Sequence, residues 1–226
     1  MGTEDIAAFT DVGRRGRPPG TTRRELELIS LRLFTDQGYE ETTIEQIAQA
    51  AGVNRRTFFN YFPSKTAVLW YQFEDELNAI RSGLATMEDD VPLMDAIRHV
   101  VVTVNRYSAE DVPELRARMN LIGSVPALQE SAATHYQAWE QAISAFAAER
   151  IGQPPDSLFA LAIGRTTLAA ARAAYDRWVE REDADLPLYL DAALTALGTG
   201  FAAHSLKTPA QLDRHRIRRR PTRPGG

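Results

Sequence analysis

Cysteine is absent from the 226 residues, which excludes disulfides, thiolate metal sites and cysteine nucleophiles. Long apolar runs are missing as well: no stretch reaches the roughly 18 residues that suggest a membrane-crossing helix. The N-terminus carries no basic-then-apolar leader pattern, since Ile6 and Phe9 sit among acids. The four histidines, His99, His135, His204 and His215, are scattered without metal-ligand spacing. Nucleophile-elbow, phosphate-loop and dinucleotide-binding glycine patterns do not occur. Asp89-Asp90 fits a loop better than a catalytic pair. These absences point away from an enzyme, leave no cofactor or metal to name, and make a cytoplasmic location without membrane contact the simplest expectation.

What is present is unevenly placed charge. The formal net charge is −4, yet residues 1–70 hold 9 basic and 9 acidic residues, residues 71–213 hold 11 and 21, and residues 214–226 hold 6 and none. An acidic body with basic ends confines any nucleic-acid contact to one region.

Strand signals are sparse and helical periodicity is strong, so the fold class is all-α. Leu26, Ile29, Leu33 and Phe34 share one face of a helix. Thr22 with Glu25 has capping-box spacing and Gly38 supplies a stop. A second short helix opens on Thr43 and Gln46 at the same spacing, carries Ile44, Ile47, Ala48 and Ala51 as its apolar stripe, and ends at Gly52. Gly52-Val53-Asn54 then turns into a third, with Asn54 as N-cap. Two short helices about a glycine turn form a helix-turn-helix, and the first helix completes a three-helix unit. Ser64 caps a fourth helix. Beyond it, breaks fall near 88–92, 108–113, 123–126, 152–155 and 183–187. The expected organisation is a flexible basic arm at 1–20, a helix-turn-helix domain at 21–67, a ligand-binding and dimerisation domain at 68–207, and a disordered basic tail at 208–226.

The third helix poses a local conflict. Arg55 and Arg56 lie at its N-terminus, where the helix macrodipole already places positive charge. Phe58 and Phe62, four apart, face inward with Phe34 and Ile47; Arg55 with Phe59, and Arg56 with Asn60, form rows on the other side. A major groove would offset the arginine cost, because arginine donates bidentately to guanine and asparagine pairs with adenine or phosphate. Recognition helices read bases with their N-terminal residues.

The run LFTDQGYEETTIEQIAQAAGVNRRTFFNYFPSKTAVL, residues 33–69, resembles the TetR family of bacterial regulators. The match follows Leu33-Phe34, Gly38, Thr42-Thr43, Ile47-Ala48, Ala51-Gly52-Val53, Thr57-Phe58, Tyr61-Phe62 and Ser64-Lys65. With LIGSVPAL at 121–128, it also resembles the mycofactocin-system regulators of actinobacteria. The resemblance implies a ligand-responsive regulator, more often repressor than activator, that binds a pseudo-palindromic DNA operator as a homodimer. It implies DNA contact by Arg55, Arg56, Thr57, Phe59 and Asn60, with Thr43, Tyr61 and Lys65 on phosphates. The family commonly has tyrosine where Phe59 stands; its ring can meet a thymine methyl or pack on the Arg55 stem, and both readings stand. Arg15-Gly16-Arg17-Pro18 resembles the core of an AT-hook, which would place Arg15 and Arg17 in a minor groove; a solubilising arm is the alternative.

The resemblance further implies a body enclosing a small-molecule site. The expected lining is Tyr107, Arg118, Met119, Ile122, Tyr136, Trp139, Ile143, Phe146, Tyr175 and Trp178, with Asn105 and Asn120 as a polar minority. Each of these also fits ordinary core. The implied effector is apolar or amphipathic, and the narrower resemblance favours a fatty-acyl thioester of coenzyme A. Alanines 162, 169, 170, 173, 193 and 196 suit either a dense core or a helix-on-helix dimer seam. The competing readings are a non-specific DNA-packaging protein and an enzyme or small-molecule binder built on the helical body.

Overall fold

A computed structural model of the chain describes residues 21–181 and 184–200, so the arm with Arg15 and Arg17, the basic tail, His204 and His215 lie outside the described residues. Among the described residues every regular element is helical: α1 (Arg23–Gln37), α2 (Ile44–Ala50), α3 (Arg55–Tyr61), α4 (Ala67–Ala85), α5 (Leu93–Val104), α6 (Val112–Ser124), α7 (Pro126–Ile151), α8 (Leu158–Val179) and α9 (Leu186–Gly198). All five expected breaks separate helices, because proline or an αL glycine stands at each.

The caps of α1–α3 form as the spacing predicts, whereas α4 has Thr66 at its N-cap without a side-chain cap bond, and Ser64 accepts from Ala67 N at 3.1 Å. Thr22 with Glu25, and Thr43 with Gln46, are reciprocal capping boxes, and Asn54 accepts from Thr57 N at 2.8 Å. Such caps stabilise by about 1 kcal/mol each. Gly52 sits at φ 66°, the left-handed turn between α2 and α3 that side chains disfavour. Phe34, Ile47, Phe58 and Phe62 are buried together as the core of α1–α3, with Val68 and Leu69 of α4 and Leu128 of α7 added. The inward face of α1 differs from expectation. Leu26 and Phe34 are buried, but Glu27, Ser30 and Leu31 complete the face, while Ile29 and Leu33 are only half-buried.

Helices α4–α9 form the body around Trp139, Ile143, Trp178 and Leu190. At Gly164 of α8, a Cβ would stand 2.2 Å from Ser144 Oγ and 2.7 Å from the Glu140 carbonyl of α7. Glycine alone permits that approach. Ala162, Ala169 and Ala173, by contrast, are exposed on the single chain, as are Leu158 and Phe159.

Candidate nucleic-acid interface and internal cavity

The burial of Phe58 fixes which way α3 faces. With that ring at 0% exposed, Arg55, Arg56, Phe59 and Asn60 all point outward. Arg55 donates to Glu45 of α2 at 2.6 Å, and its guanidinium lies 5.4 Å from the Phe59 ring centre. The electrostatic cost of this cation is therefore partly met within the chain. Arg56 has no ion-pair partner among the described residues. Thr57 is half-buried, its hydroxyl turned back onto Asn54 Oδ1 at 3.1 Å, so it completes the cap. Thr43 is exposed at the start of α2, where free backbone N–H groups favour an anion.

Two residues expected on phosphates are occupied inside the fold. Tyr61 donates its hydroxyl to the Thr21 carbonyl at 2.9 Å. Lys65 donates to the carbonyls of Tyr39 at 2.6 Å and Thr42 at 3.0 Å, and lies 4.1 Å from the Tyr39 ring centre. Burial lowers the Lys65 pKa, against the pull of Glu40 and Glu41. The resemblance implies a phosphate contact for Lys65; its ammonium is held here by the carbonyls of the loop between α1 and α2.

A cavity of about 780 Å³ opens in the body. Met119, Ile122, Tyr136, Trp139 and Tyr175 line it as expected, with Asn105 and Asn120. Five expected lining residues do not. Ile143 is fully buried in the helical core, and Phe146 packs beside Arg150. Trp178 is buried under Arg116 and donates to the Ala184 carbonyl at 3.0 Å. Tyr107 lies behind the wall, donating to Glu76. Arg118 turns away altogether and pairs with Glu27. Helix α4 supplies the residues that the expectation missed: Trp70, Phe73, Glu76 and Ile80 are on one stripe of it. Their spacing of three to four was the available signal. From α8 come Arg172 and Asp176, neighbours by one turn.

Between the two regions lies a polar junction. Arg118 of α6 donates to Glu27 of α1 and to Gln72 of α4. Arg24 of α1 donates to Glu27 at 2.9 Å and also reaches Glu114 of α6. Helices α4 and α6 thus both line the cavity and hold α1.

Comparison with known proteins bears on both regions. Residues 30–70 match the family described as bacterial regulatory proteins, tetR family, and residues 91–202 match the MftR C-terminal domain. The chain is 31% identical over 188 residues to MftR of Mycobacterium tuberculosis, named for regulation of mycofactocin biosynthesis, covering 83% of this chain and 95% of that one. The chain belongs to the TetR family. A second relative, the HTH-type transcriptional regulator EthR of Mycolicibacterium smegmatis, is 30% identical over 159 residues, 67% of this chain and 73% of its own. The fold is that of Thermus thermophilus FadR, a TetR-family repressor solved with lauroyl-CoA: TM-score 0.55, 24% identity, 83% of this chain and 98% of that one. TetR-family members are DNA-binding transcriptional regulators and not enzymes, and the same holds for this chain.

Proposed function

We propose that this TetR-family regulator is a repressor released from a pseudo-palindromic operator by a small effector bound in the body. The reading is carried by one observation: α4 and α6 line the cavity and also hold α1 through Gln72 and Arg118. A ligand that prefers a different spacing of these helices shifts α1–α3 with them, and coupling requires only that difference in preference.

In this reading Arg55, Arg56, Phe59 and Asn60 meet base edges, and Thr43 meets a phosphate. Lys65 and Tyr61 support the unit from behind. Arg15 and Arg17 extend the contact into a minor groove. The division at 21–67 and 68–207 separates reading from sensing, and the protein works in the cytoplasm. The exposed small-residue face of α8, with Leu158 and Phe159, favours a second copy packed against it. The effector is apolar or amphipathic; a fatty-acyl thioester such as the lauroyl-CoA held by FadR is one such molecule.

Selection of genomic fragments by the purified protein at moderate salt tests the reading. Enrichment of an inverted repeat with fixed half-site separation is expected. Binding indifferent to sequence would instead mark a DNA-packaging protein.

A further inference from the structure

The cavity wall carries an unbalanced charge. Its charged residues are Glu76, Asp176, Glu180 and Arg172; Asp176 and Glu180 are exposed to water and Glu180 pairs with Arg177 at 2.6 Å, which leaves Glu76 as the acid held inside. Arg172 lies 4.9 Å from the Tyr136 ring centre and one turn from Asp176. The innermost of these acids, Glu76, is flanked on the same stripe of α4 by Phe73 and Ile80. It accepts one hydrogen bond, from Tyr107, and no cation among the described residues reaches it within ion-pair distance. The nearest candidate, Arg118, is committed to Glu27 and Gln72. Behind it the polar floor continues through Tyr175, which donates to Asn105.

A carboxylate facing an apolar cavity without a counter-charge is costly unless it is neutralised. Burial pushes the Glu76 carboxyl above its usual range, although the Tyr107 donor and the Arg118 field pull the other way and Asp75 adds to the rise. The surroundings favour one kind of neutraliser. Trp70 and Phe73 stand at right angles 5.7 Å apart, and Trp70 and Tyr136 at 90° and 6.0 Å. Aromatic walls attract organic cations through the ring quadrupole, most strongly where water is excluded. An anionic head group placed there would instead face the Glu76 carboxyl.

Resting on the reading of this cavity as the effector site, we infer that its ligand is an amphipathic amine whose ammonium group sits against Glu76 within the Trp70, Phe73 and Tyr136 walls. The apolar remainder fills the space toward Ile80, Ile122 and Leu168. Glu76 is then the residue that selects cation over anion, and Arg172 excludes a second cation at the α8 side.

The test uses the full-length protein with four probes below their micelle concentrations: dodecylamine, dodecanol, dodecanoate and lauroyl-CoA. Thermal shift and release of a labelled operator are read for wild type and Glu76→Gln. Dodecylamine is expected to bind about tenfold or more tighter than dodecanol or dodecanoate, a preference of the size expected for a desolvated cation–π and ion-pair site. Glu76→Gln should remove most of that preference while leaving dodecanol within about twofold. Should Glu76→Gln not fold by circular dichroism, Phe73→Leu carries the test, and it must weaken the amine more than the alcohol. Tighter binding of dodecanoate or lauroyl-CoA than of the amine overturns the inference, as does an unchanged amine affinity in the variant. If an anionic or neutral probe releases the operator and the amine does not, the charge assignment alone is wrong. If no probe moves operator binding, the effector reading falls with it.

Discussion

Arg118 and Glu27 meet 91 residues apart in sequence with both side chains withdrawn from water, at 4% and 1% exposure. The pair joins α6 of the body to α1 of the DNA-reading unit. Its two charges are desolvated, so each depends on the other, and Arg24 and Gln72 complete the set. The junction is stiff, since neither partner has an alternative in water, and the proposed coupling runs through it.

Removing one partner is the sharper perturbation. Arg118→Met leaves Glu27 buried with Arg24 as its remaining ion-pair partner and is expected to cost roughly 3–5 kcal/mol, a fall in Tm of about 6–20 °C for a domain of this size. Glu27→Leu with Arg118→Met should recover most of the loss. The double variant should still bind operator but respond less to effector. Calorimetry and operator titration with and without ligand check both halves. Full effector response in the double variant would move the coupling elsewhere.

At the DNA-reading face, Arg56→Ala should leave Tm unchanged or slightly raised, because a cation at a helix N-terminus costs about 0.3–1 kcal/mol. Operator affinity should fall by about 1–3 kcal/mol, with selectivity relaxed at one base position. Competition binding with a panel of single-base operator variants reads this. Melting of the domain would mean that α3 presents a different side.

Lys65 separates a structural lysine from a phosphate-binding one. Lys65→Met loses the charged hydrogen bonds to Tyr39 and Thr42, each worth about 1.5–3 kcal/mol, so Tm should drop. The slope of log affinity against log salt should stay the same, since no counterion-releasing contact is removed. A slope reduced by about one unit returns Lys65 to the phosphate backbone.

For Glu76 the sign of the pH effect follows from its raised pKa. The folded state holds the proton more tightly than the unfolded chain, so stability falls as pH rises from the unfolded value toward the folded one. Glu76→Gln cannot ionise. Its Tm relative to wild type should therefore increase between about pH 4.5, near the unperturbed value, and pH 8. A pH-independent difference would place the carboxylate in water.

Local features of this fold were legible and distant ones were not. Caps at Thr22, Thr43 and Asn54 need only neighbours in sequence, and Phe58 with Phe62 needs only helical periodicity. Glu27 defeated the same reasoning, because its burial depends on an arginine five helices away and no local pattern reports it. Trp178 and Tyr175 illustrate the limit within one helix. Three residues apart, one is covered by Arg116 of α6 and bonded to the Ala184 carbonyl while the other faces the cavity, a distinction set by which distant elements pack on each side of α8. Lys65 belongs with these, since the carbonyls it serves come from the loop between α1 and α2, more than twenty residues back.

The missing side chain at Gly164 has a mechanical consequence. Ser144 and Glu140 press against that bare backbone, pinning α7 to α8 like the closed jaw of a clamp. Under the proposed effector reading, a molecule wedged into the cavity should therefore act on α4, which follows directly on α3 in the chain, rather than on the α7–α8 contact.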